Sequence, residues 1–263
     1  MTTAALSRPY AERRRRAAEL ASAWPFAAEV VGLYAAILPV QEAIHEAVIE
    51  SRPGRLEEVP GWLAERFVRP LLQASIAAGP DALVSAAQTL LYGGDLAEPA
   101  AAWLAGAEQS AFDRFFGRAA ATPVLEAVPE LLPPRAPDAA HLLCPRCGAT
   151  PQVSWFASSG EALVSGGRRL TCSRCSFSWG YPRMTCAGCG ETTTSSLHVF
   201  ADEERFPHLR VDACDRCRRY LLTVMLERDG HAVPIVDELA ALPLDLFARE
   251  QGYRKVTPNL MNF

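Results

Sequence analysis

Eight cysteines are the residues of this sequence whose types and spacing could do chemistry. All of them fall between residues 144 and 217 of the 263-residue chain. Two cysteines three positions apart in a tight turn direct both sulfurs to one point, and a second such turn completes a tetrahedral shell of four. The sequence therefore predicts metal ligands in four Cys-x-x-Cys pairs: Cys144 with Cys147, Cys172 with Cys175, Cys186 with Cys189, and Cys214 with Cys217.

The four pairs form a tandem repeat. Cys144 and Cys186 are 42 residues apart, and Cys172 and Cys214 are also 42 residues apart. A duplicated unit is expected to close on itself, which predicts one site from the first two pairs and a second site from the last two. The open alternative is a crossed arrangement, in which the first pair joins the third and the second joins the fourth.

The sequence favours metal binding over disulfide bonds for these cysteines, but it does not identify the metal. A disulfide framework would also use eight cysteines, but such frameworks belong to oxidising compartments. Glu19 and Glu29 interrupt the apolar segment that follows Arg13–Arg16, so we expect no export signal and a cytoplasmic protein with reduced thiols. Four thiolates suit both zinc and a rubredoxin-type iron, and the spacing does not choose between them. We expect two metal ions per chain.

The elements that must position these cysteines differ along the chain. Residues 1–130 are rich in Ala and Leu at helical spacing, as at Leu63, Phe67 and Leu71, and predict a domain of five or six helices. A Pro-rich linker is predicted over 131–143. Short β-like runs follow, at 152–157, 177–181, 197–201 and 220–227, and a helix is predicted over 236–251. The predicted units are a helical domain 1–130, four-cysteine modules 144–183 and 184–230, and a C-terminal helix and tail 231–263.

Composition excludes several classes of protein. The chain is 49% hydrophobic and 21% charged, which is typical of globular proteins. A net charge of −4 and a pI near 5.8 argue against a nucleic-acid partner. No apolar run approaches the ~20 residues of a membrane helix, so no membrane insertion is expected. The run Arg13–Arg16 is predicted to be a solvated helix face.

The cysteine region resembles a known family, the formate dehydrogenase accessory (formation) protein FdhE. The similar stretches are 143–148, 167–175 with Trp179, 183–190 and 213–221, together with the segment from Asp237 to Asn259. The resemblance is specific from about residue 143 to 260; over the N-terminal helices it extends only to size and character. The sequence departs from the family at Ser176 and Arg218, where a glycine often follows the second pair of each module.

This resemblance implies an α+β protein: an all-helical N-terminal domain, two tandem rubredoxin-like or zinc-ribbon-like modules, and a C-terminal helix. It implies a non-enzymatic cytoplasmic assembly factor that binds the catalytic molybdenum or tungsten subunit of a respiratory formate dehydrogenase. It also implies that all eight cysteines bind metal and favours iron, with zinc as the alternative. Self-association stays open.

Two other functions fit the same cysteines. One is a zinc-ribbon adaptor that binds nucleic acid or transcription proteins, and the other is a rubredoxin-like electron carrier. A basic, aromatic-rich face on the modules would favour the first. A reversible Fe(III)/Fe(II) thiolate spectrum would favour the second.

Overall fold

The structure is a computed structural model that describes residues 8–133, 141–158 and 166–263. The chain divides after Pro133 into two compact units, a helical unit and a unit that contains all the cysteines. The predicted linker 131–143 lies largely outside the described residues; Pro129–Leu131, at its start, form a 3₁₀ turn. The order of helices first and strands afterwards confirms the predicted α+β class.

The helical unit contains seven α-helices within the described residues, one more than the upper expectation. They are α1 Arg8–Ala23, α2 Ala28–Glu50, α3 Val59–Arg66, α4 Val68–Ala78, α5 Asp81–Gly93, α6 Glu98–Ala105 and α7 Ala111–Ala127. The sequence placed Leu63, Phe67 and Leu71 on one helical face. The chain instead breaks at Phe67, whose φ is −124°, and α3 and α4 are separate helices.

The central helix α2 is the most apolar element of the helical unit. The stretch Pro25–Glu50 has the length and hydropathy of a membrane span, contrary to the expectation from the sequence. Nine side chains of α2 are buried, and the Gln41 side chain donates a hydrogen bond of 2.9 Å to the carbonyl of Ala119 in α7. In this structure α2 packs as a core helix against α1, α4 and α7.

The arginine run in α1 is only partly the solvated face predicted for it, because Arg15 is exposed but Arg13 and Arg16 are buried. Arg13 is 8% exposed and forms a forked ion pair with Glu126 of α7, to which the Tyr10 hydroxyl also donates a hydrogen bond. Arg14 pairs with Glu42 of α2. The carboxylates that pair with Arg13 and Arg14 are more than 25 positions away in sequence, so a local charge pattern could not reveal these ion pairs.

The strands of the cysteine unit form one seven-stranded sheet. They are β1 Pro151–Phe156, β2 Arg168–Cys172, β3 Ser178–Gly180, β4 Leu197–Phe200, β5 Leu209–Cys214, β6 Arg219–Met225 and β7 Arg254–Lys255. The order across the sheet is β3-β2-β1-β6-β5-β4, with β7 also paired to β6. Four of the strands lie where the sequence predicted them. The prediction missed the two-residue strand β7 and also β2 and β5, whose arginines Arg168 and Arg210 resemble surface residues.

The repeat is visible in the strand order. Strands β1 to β3 form one antiparallel meander and β4 to β6 form another, with equivalent strands offset by about 42 residues. The meanders join where β1 runs parallel to β6. The two four-cysteine modules therefore share a sheet. Strand β1 has a neighbour on each side, whereas its equivalent β4 is an edge strand.

Two short helices pack on one face of this sheet. They are α8 Pro234–Ala240 and α9 Leu242–Glu250, where the sequence predicted one continuous helix. Beneath them Lys255, the only lysine of the chain, lies 2.6 Å from Glu238 and 3.0 Å from Asp245. Asp245 also accepts a hydrogen bond of 2.7 Å from the Tyr220 hydroxyl. This buried charge cluster ties α8, α9 and β7 to the centre of the sheet.

Candidate metal centres

The structure brings the eight cysteines together in two groups. The first site is Cys144, Cys147, Cys172 and Cys175, and the second site is Cys186, Cys189, Cys214 and Cys217. Within each group all four Sγ atoms lie within 4.8 Å of one another. This is the grouping expected if each repeat closes on itself. It is not the crossed arrangement.

The sulfur spacing fits a tetrahedral metal. Zinc–sulfur bonds of about 2.3 Å in a tetrahedron place neighbouring sulfurs about 3.8 Å apart. The Sγ–Sγ distance is 3.7 Å for Cys144 and Cys175, and the same for Cys186 and Cys217. It is 3.9 Å for Cys189 and Cys214, and a shorter 3.3 Å for Cys147 and Cys172. Four soft sulfur donors at these separations suit zinc or iron and do not choose between them.

The turns that carry the cysteines share one backbone conformation. The residue after the second cysteine has a positive φ in every pair: 72° at Gly148, 53° at Ser176, 76° at Gly190 and 53° at Arg218. This left-handed conformation reverses the chain so that both sulfurs face inward. It favours glycine, because a Cβ crowds the following carbonyl. The departures at Ser176 and Arg218 therefore keep the geometry of the turn at a cost in strain.

Backbone amides also point at the sulfurs. The N–H of Arg174 donates to Cys172 Sγ, and the N–H of Gly188 donates to Cys186 Sγ, each at 3.3 Å. Such hydrogen bonds orient a thiolate ligand and spread its charge. They complete a donor set in which each site has four sulfurs and its own amide support.

Crowding shifts the pKa values of the clustered thiols in both directions. Hydrogen bonds from neighbouring cysteines lower the pKa of Cys144, and the pKa values of Cys147 and Cys189 are also lowered. Hydrogen-bonding contacts with the neighbouring cysteines, and burial, raise the pKa of Cys172 far above its ordinary value. Burial also raises the pKa of Cys186 and raises that of Cys217 to about 11. A bound metal ion stabilises the thiolates and so overcomes the raised pKa values. Each ligand must lose its proton, so loading either site releases protons.

The two sites differ in their covering. Arg146 lies 4.0 Å above the ring of Phe177 beside the first site. The equivalent positions of the second repeat, 42 residues later, are Gly188 and Arg219. A Cβ added at Gly188 would lie 3.4 Å from Cδ of Arg219, so the arginine stem passes over the turn where the first site has an aromatic cover. The second site is consequently the more open one.

A third group of possible ligands was not predicted from the sequence. His208 Nε2 lies 2.8 Å from Asp237 Oδ1, and Asp229 belongs to the same group. The other oxygen of Asp237 accepts a hydrogen bond from the N–H of Val233 at the start of α8. The separation of 29 residues between His208 and Asp237 hid this pair, which fastens α8 to the start of β5.

The fold and its two sulfur clusters define a class: a helical unit followed by a duplicated four-cysteine unit. A sequence profile described as "FdhE, C-terminal domain" matches residues 184–262. The crystal structure of the FdhE protein from Pseudomonas aeruginosa covers 96% of this chain and 95% of that chain, with a TM-score of 0.69 and 25% identity. The chain is thus similar to FdhE proteins in sequence over its cysteine-rich part and in structure over nearly its whole length.

Curated relatives match the cysteine-rich part. An FdhE homolog of Aquifex aeolicus is 37% identical over 120 residues, and one of Pseudomonas aeruginosa is 36% identical over 122 residues. These alignments cover 46% and 45% of this chain. They cover 41% and 39% of those proteins, so the matched segment spans less than half of the relatives' length.

Proposed function

We propose that this chain is a non-enzymatic accessory factor for a respiratory formate dehydrogenase. It binds the catalytic molybdenum or tungsten subunit in the cytoplasm and supports its assembly into active enzyme. The observation that carries the proposal is the similarity to the FdhE protein of Pseudomonas aeruginosa over nearly the whole chain. The complete set of eight clustered cysteines supports it, because no ligand position of the duplicated unit has been lost.

The chain's own residues would hold the metal in a fixed and partly exposed setting. The turn residues at positive φ aim the sulfurs, and the amides of Arg174 and Gly188 orient two of them. Iron is the favoured ion and zinc the alternative. When bound, zinc would supply only a cross-link, whereas iron would also supply a one-electron couple.

Co-purification tests whether this chain binds the catalytic subunit of a formate dehydrogenase, its proposed client protein. The full chain is expressed anaerobically with an affinity tag in a cell that lacks its own factor, and bound proteins, metal content and formate dehydrogenase activity are measured. We expect two metal ions per chain, the formate dehydrogenase catalytic subunit as partner, and restored activity. Bound nucleic acid in place of the subunit would favour the adaptor function. A reversible iron spectrum with no bound subunit would favour an electron carrier.

Cysteine variants distinguish a purely structural role of the metal from a chemically active one. Cys175→Ser and Cys217→Ser are compared with Thr192→Ala, an exposed control beside the second site. A folded variant that binds its client but yields no active enzyme shows that the metal takes part in the chemistry. Loss of activity that always follows loss of folding or binding shows that the modules serve for docking.

A further inference from the structure

A cleft lies beside the second site on the sheet face opposite α8 and α9. Its volume is about 70 Å³, and Cys186 and Gly188 form part of its wall. The cleft exists because the repeat has diverged: Gly188 and Arg219 replace the aromatic cover that Arg146 and Phe177 give the first site. Side chains that line the cleft are therefore next to a metal centre yet reachable from solvent.

The cleft has more positive than negative side chains. Four arginines line it against a single carboxylate, Asp212. Arg168 and Arg210 are equivalent positions of the repeat, and both pair with Asp212, at 3.3 and 2.9 Å. The guanidinium groups of Arg183 and Arg210 both lie over the ring of Phe156.

Arg219 is the fourth of these arginines and the most available. It is exposed, and its guanidinium makes no hydrogen bond or ion pair with any other residue that the structure describes. A four-thiolate site holding a divalent ion adds a charge of about −2, which is smaller than the excess of three arginines over Asp212. The cleft therefore stays positive when the second site is loaded.

The rim of the cleft is apolar and borders an open sheet edge. Met184 is 56% exposed and Val199 is 57% exposed, and both line the cleft. Val199 belongs to β4, the last strand of the sheet, whose outer edge pairs with no other strand in the described part of the chain. An open edge offers backbone N–H and C=O groups to an added strand.

We propose that this cleft binds an acidic peptide segment of a partner protein in an extended conformation. The segment pairs along β4, places an apolar side chain on Val199 and Met184, and directs a carboxylate to Arg219. A nucleic acid fits less well, because it could not pair with a strand edge and the nearby rings are already covered by arginines. The proposal goes beyond the formate dehydrogenase function, since it holds whichever protein carries the segment.

Fluorescence anisotropy tests the proposal with the full-length, zinc-loaded chain. The probe is a labelled decapeptide of alternating glutamate and valine, and the comparison peptide alternates lysine and valine. We expect saturable binding of the acidic probe only. Arg219→Glu should weaken it at least tenfold, which corresponds to about 1.4 kcal/mol. Val199→Asp, at a second exposed position, should weaken it in the same direction.

The matched control is Arg69→Glu, the same charge change at an exposed position of α4. It should leave the dissociation constant within twofold of the unsubstituted chain. Zinc content and circular dichroism confirm that each variant is folded. Equal losses from Arg219→Glu and Arg69→Glu, or equal binding of the lysine peptide, would overturn the proposal. Tighter binding of a single-stranded DNA decamer than of the acidic probe would assign the cleft to nucleic acid instead.

Discussion

The two four-cysteine sites have the same ligands and the same turns but different surroundings. In the first site Cys144, Cys172 and Cys175 are each no more than 2% exposed, and only Cys147 is partly exposed. In the second site both Cys189 and Cys217 are partly exposed, and a cleft reaches Cys186. The pattern of ligands and turns has been kept in both copies, while the residues that exclude water have been kept only in the first.

This difference separates two requirements of a metal centre. Holding the ion needs four sulfurs in two turns, which are local features. Protecting it needs neighbours supplied by the sheet, and the copies occupy unequal places there. Strand β1 lies between β2 and β6, whereas its equivalent β4 is at the edge. We therefore expect the first site to act mainly in stability and the second to be the one that solvent and partners reach.

Metal removal should show the largest contrast between the sites. With excess chelator, the zinc-loaded chain should release two ions in two phases that differ at least about tenfold in rate, equivalent to ~1.4 kcal/mol in barrier. The fast phase belongs to the second site, because a chelator can approach its exposed sulfurs. Stopped-flow measurement with Cys217→Ser assigns the phases, since this variant should lose the fast one. Release of both zinc ions in a single phase would show that the two sites are equally accessible to the chelator.

Complete metal removal should then affect the two units of the chain differently. A structural thiolate site supplies roughly 10–16 kcal/mol at neutral pH, comparable to or above the total stability of a typical domain. We expect the sheet to unfold and the helices of the first unit, which have their own apolar core, to remain. Far-ultraviolet circular dichroism should keep most of its helical signal. A parallel collapse of that signal would show one cooperative unit.

Single-ligand variants should rank the sites in the same order. Cys175→Ser places a hydroxyl where the side chain is 1% exposed, and Cys217→Ser places one where water can enter. An unsatisfied buried hydroxyl costs about 1–3 kcal/mol, so Cys175→Ser should be destabilised more by that amount. Urea unfolding at equal zinc activity measures the difference. Equal losses would mean that exposure of the ligand does not matter.

The buried charge cluster should support both sites alike. Lys255→Met leaves Glu238 and Asp245 without their cation and should cost about 3–5 kcal/mol. The neighbouring exposed variant Arg254→Met is the control and should cost little. Zinc affinity of the two sites should fall together in Lys255→Met. A loss confined to one site would show that the sheet does not transmit the change.

The same variant should respond to pH in a defined direction. Burial raises the pKa of Glu238 above its ordinary value, and loss of the lysine raises it further. The folded state then binds a proton more readily than the unfolded state, whose Glu pKa is about 4.3. Stability therefore falls as pH rises through that window, and the deficit of Lys255→Met should shrink on acidification. Urea midpoints across the acid range provide the measurement, with Arg254→Met as reference.

The smallest effect concerns the equivalent strained turn residues. Ser176→Gly removes a left-handed conformation that costs about 1–2 kcal/mol, against an entropic loss of ~0.5–1 kcal/mol, so it should stabilise slightly. Arg218→Gly also loses hydrogen bonds of 2.7 Å to Asp215 and to the carbonyl of Gln251, each worth ~0.5–1.5 kcal/mol. It should be neutral or destabilising. Thermal midpoints that shift in the same direction by the same amount would contradict this.

The sequence by itself determined the candidate ligands, the repeat and the order of helices before strands, and it favoured the grouping within each repeat that the structure shows. These features depend on spacing within a few residues or on one fixed offset, and both can be counted along the chain. The sequence did not predict the helix break at Phe67 or the strands β2 and β5, because tertiary contacts override the local pattern there. Arg168, for example, is buried, and its guanidinium donates a hydrogen bond to Ser154 and forms an ion pair with Asp212.

Only the tertiary structure decided which copy lies at the edge of the sheet. The parallel pairing of β1 with β6 puts one meander's first strand inside the sheet and leaves the other's at its edge. That pairing joins residues about 70 positions apart. The buried Arg13 pairs with Glu126, 113 positions away, and the buried Lys255 pairs with Glu238 in another element. No spacing rule encodes such contacts, because they form only when whole elements pack. The replacement of Arg146 and Phe177 by Gly188 and Arg219 can be read in the sequence, but its effect on the accessibility of the second site depends on the place of that site in the sheet.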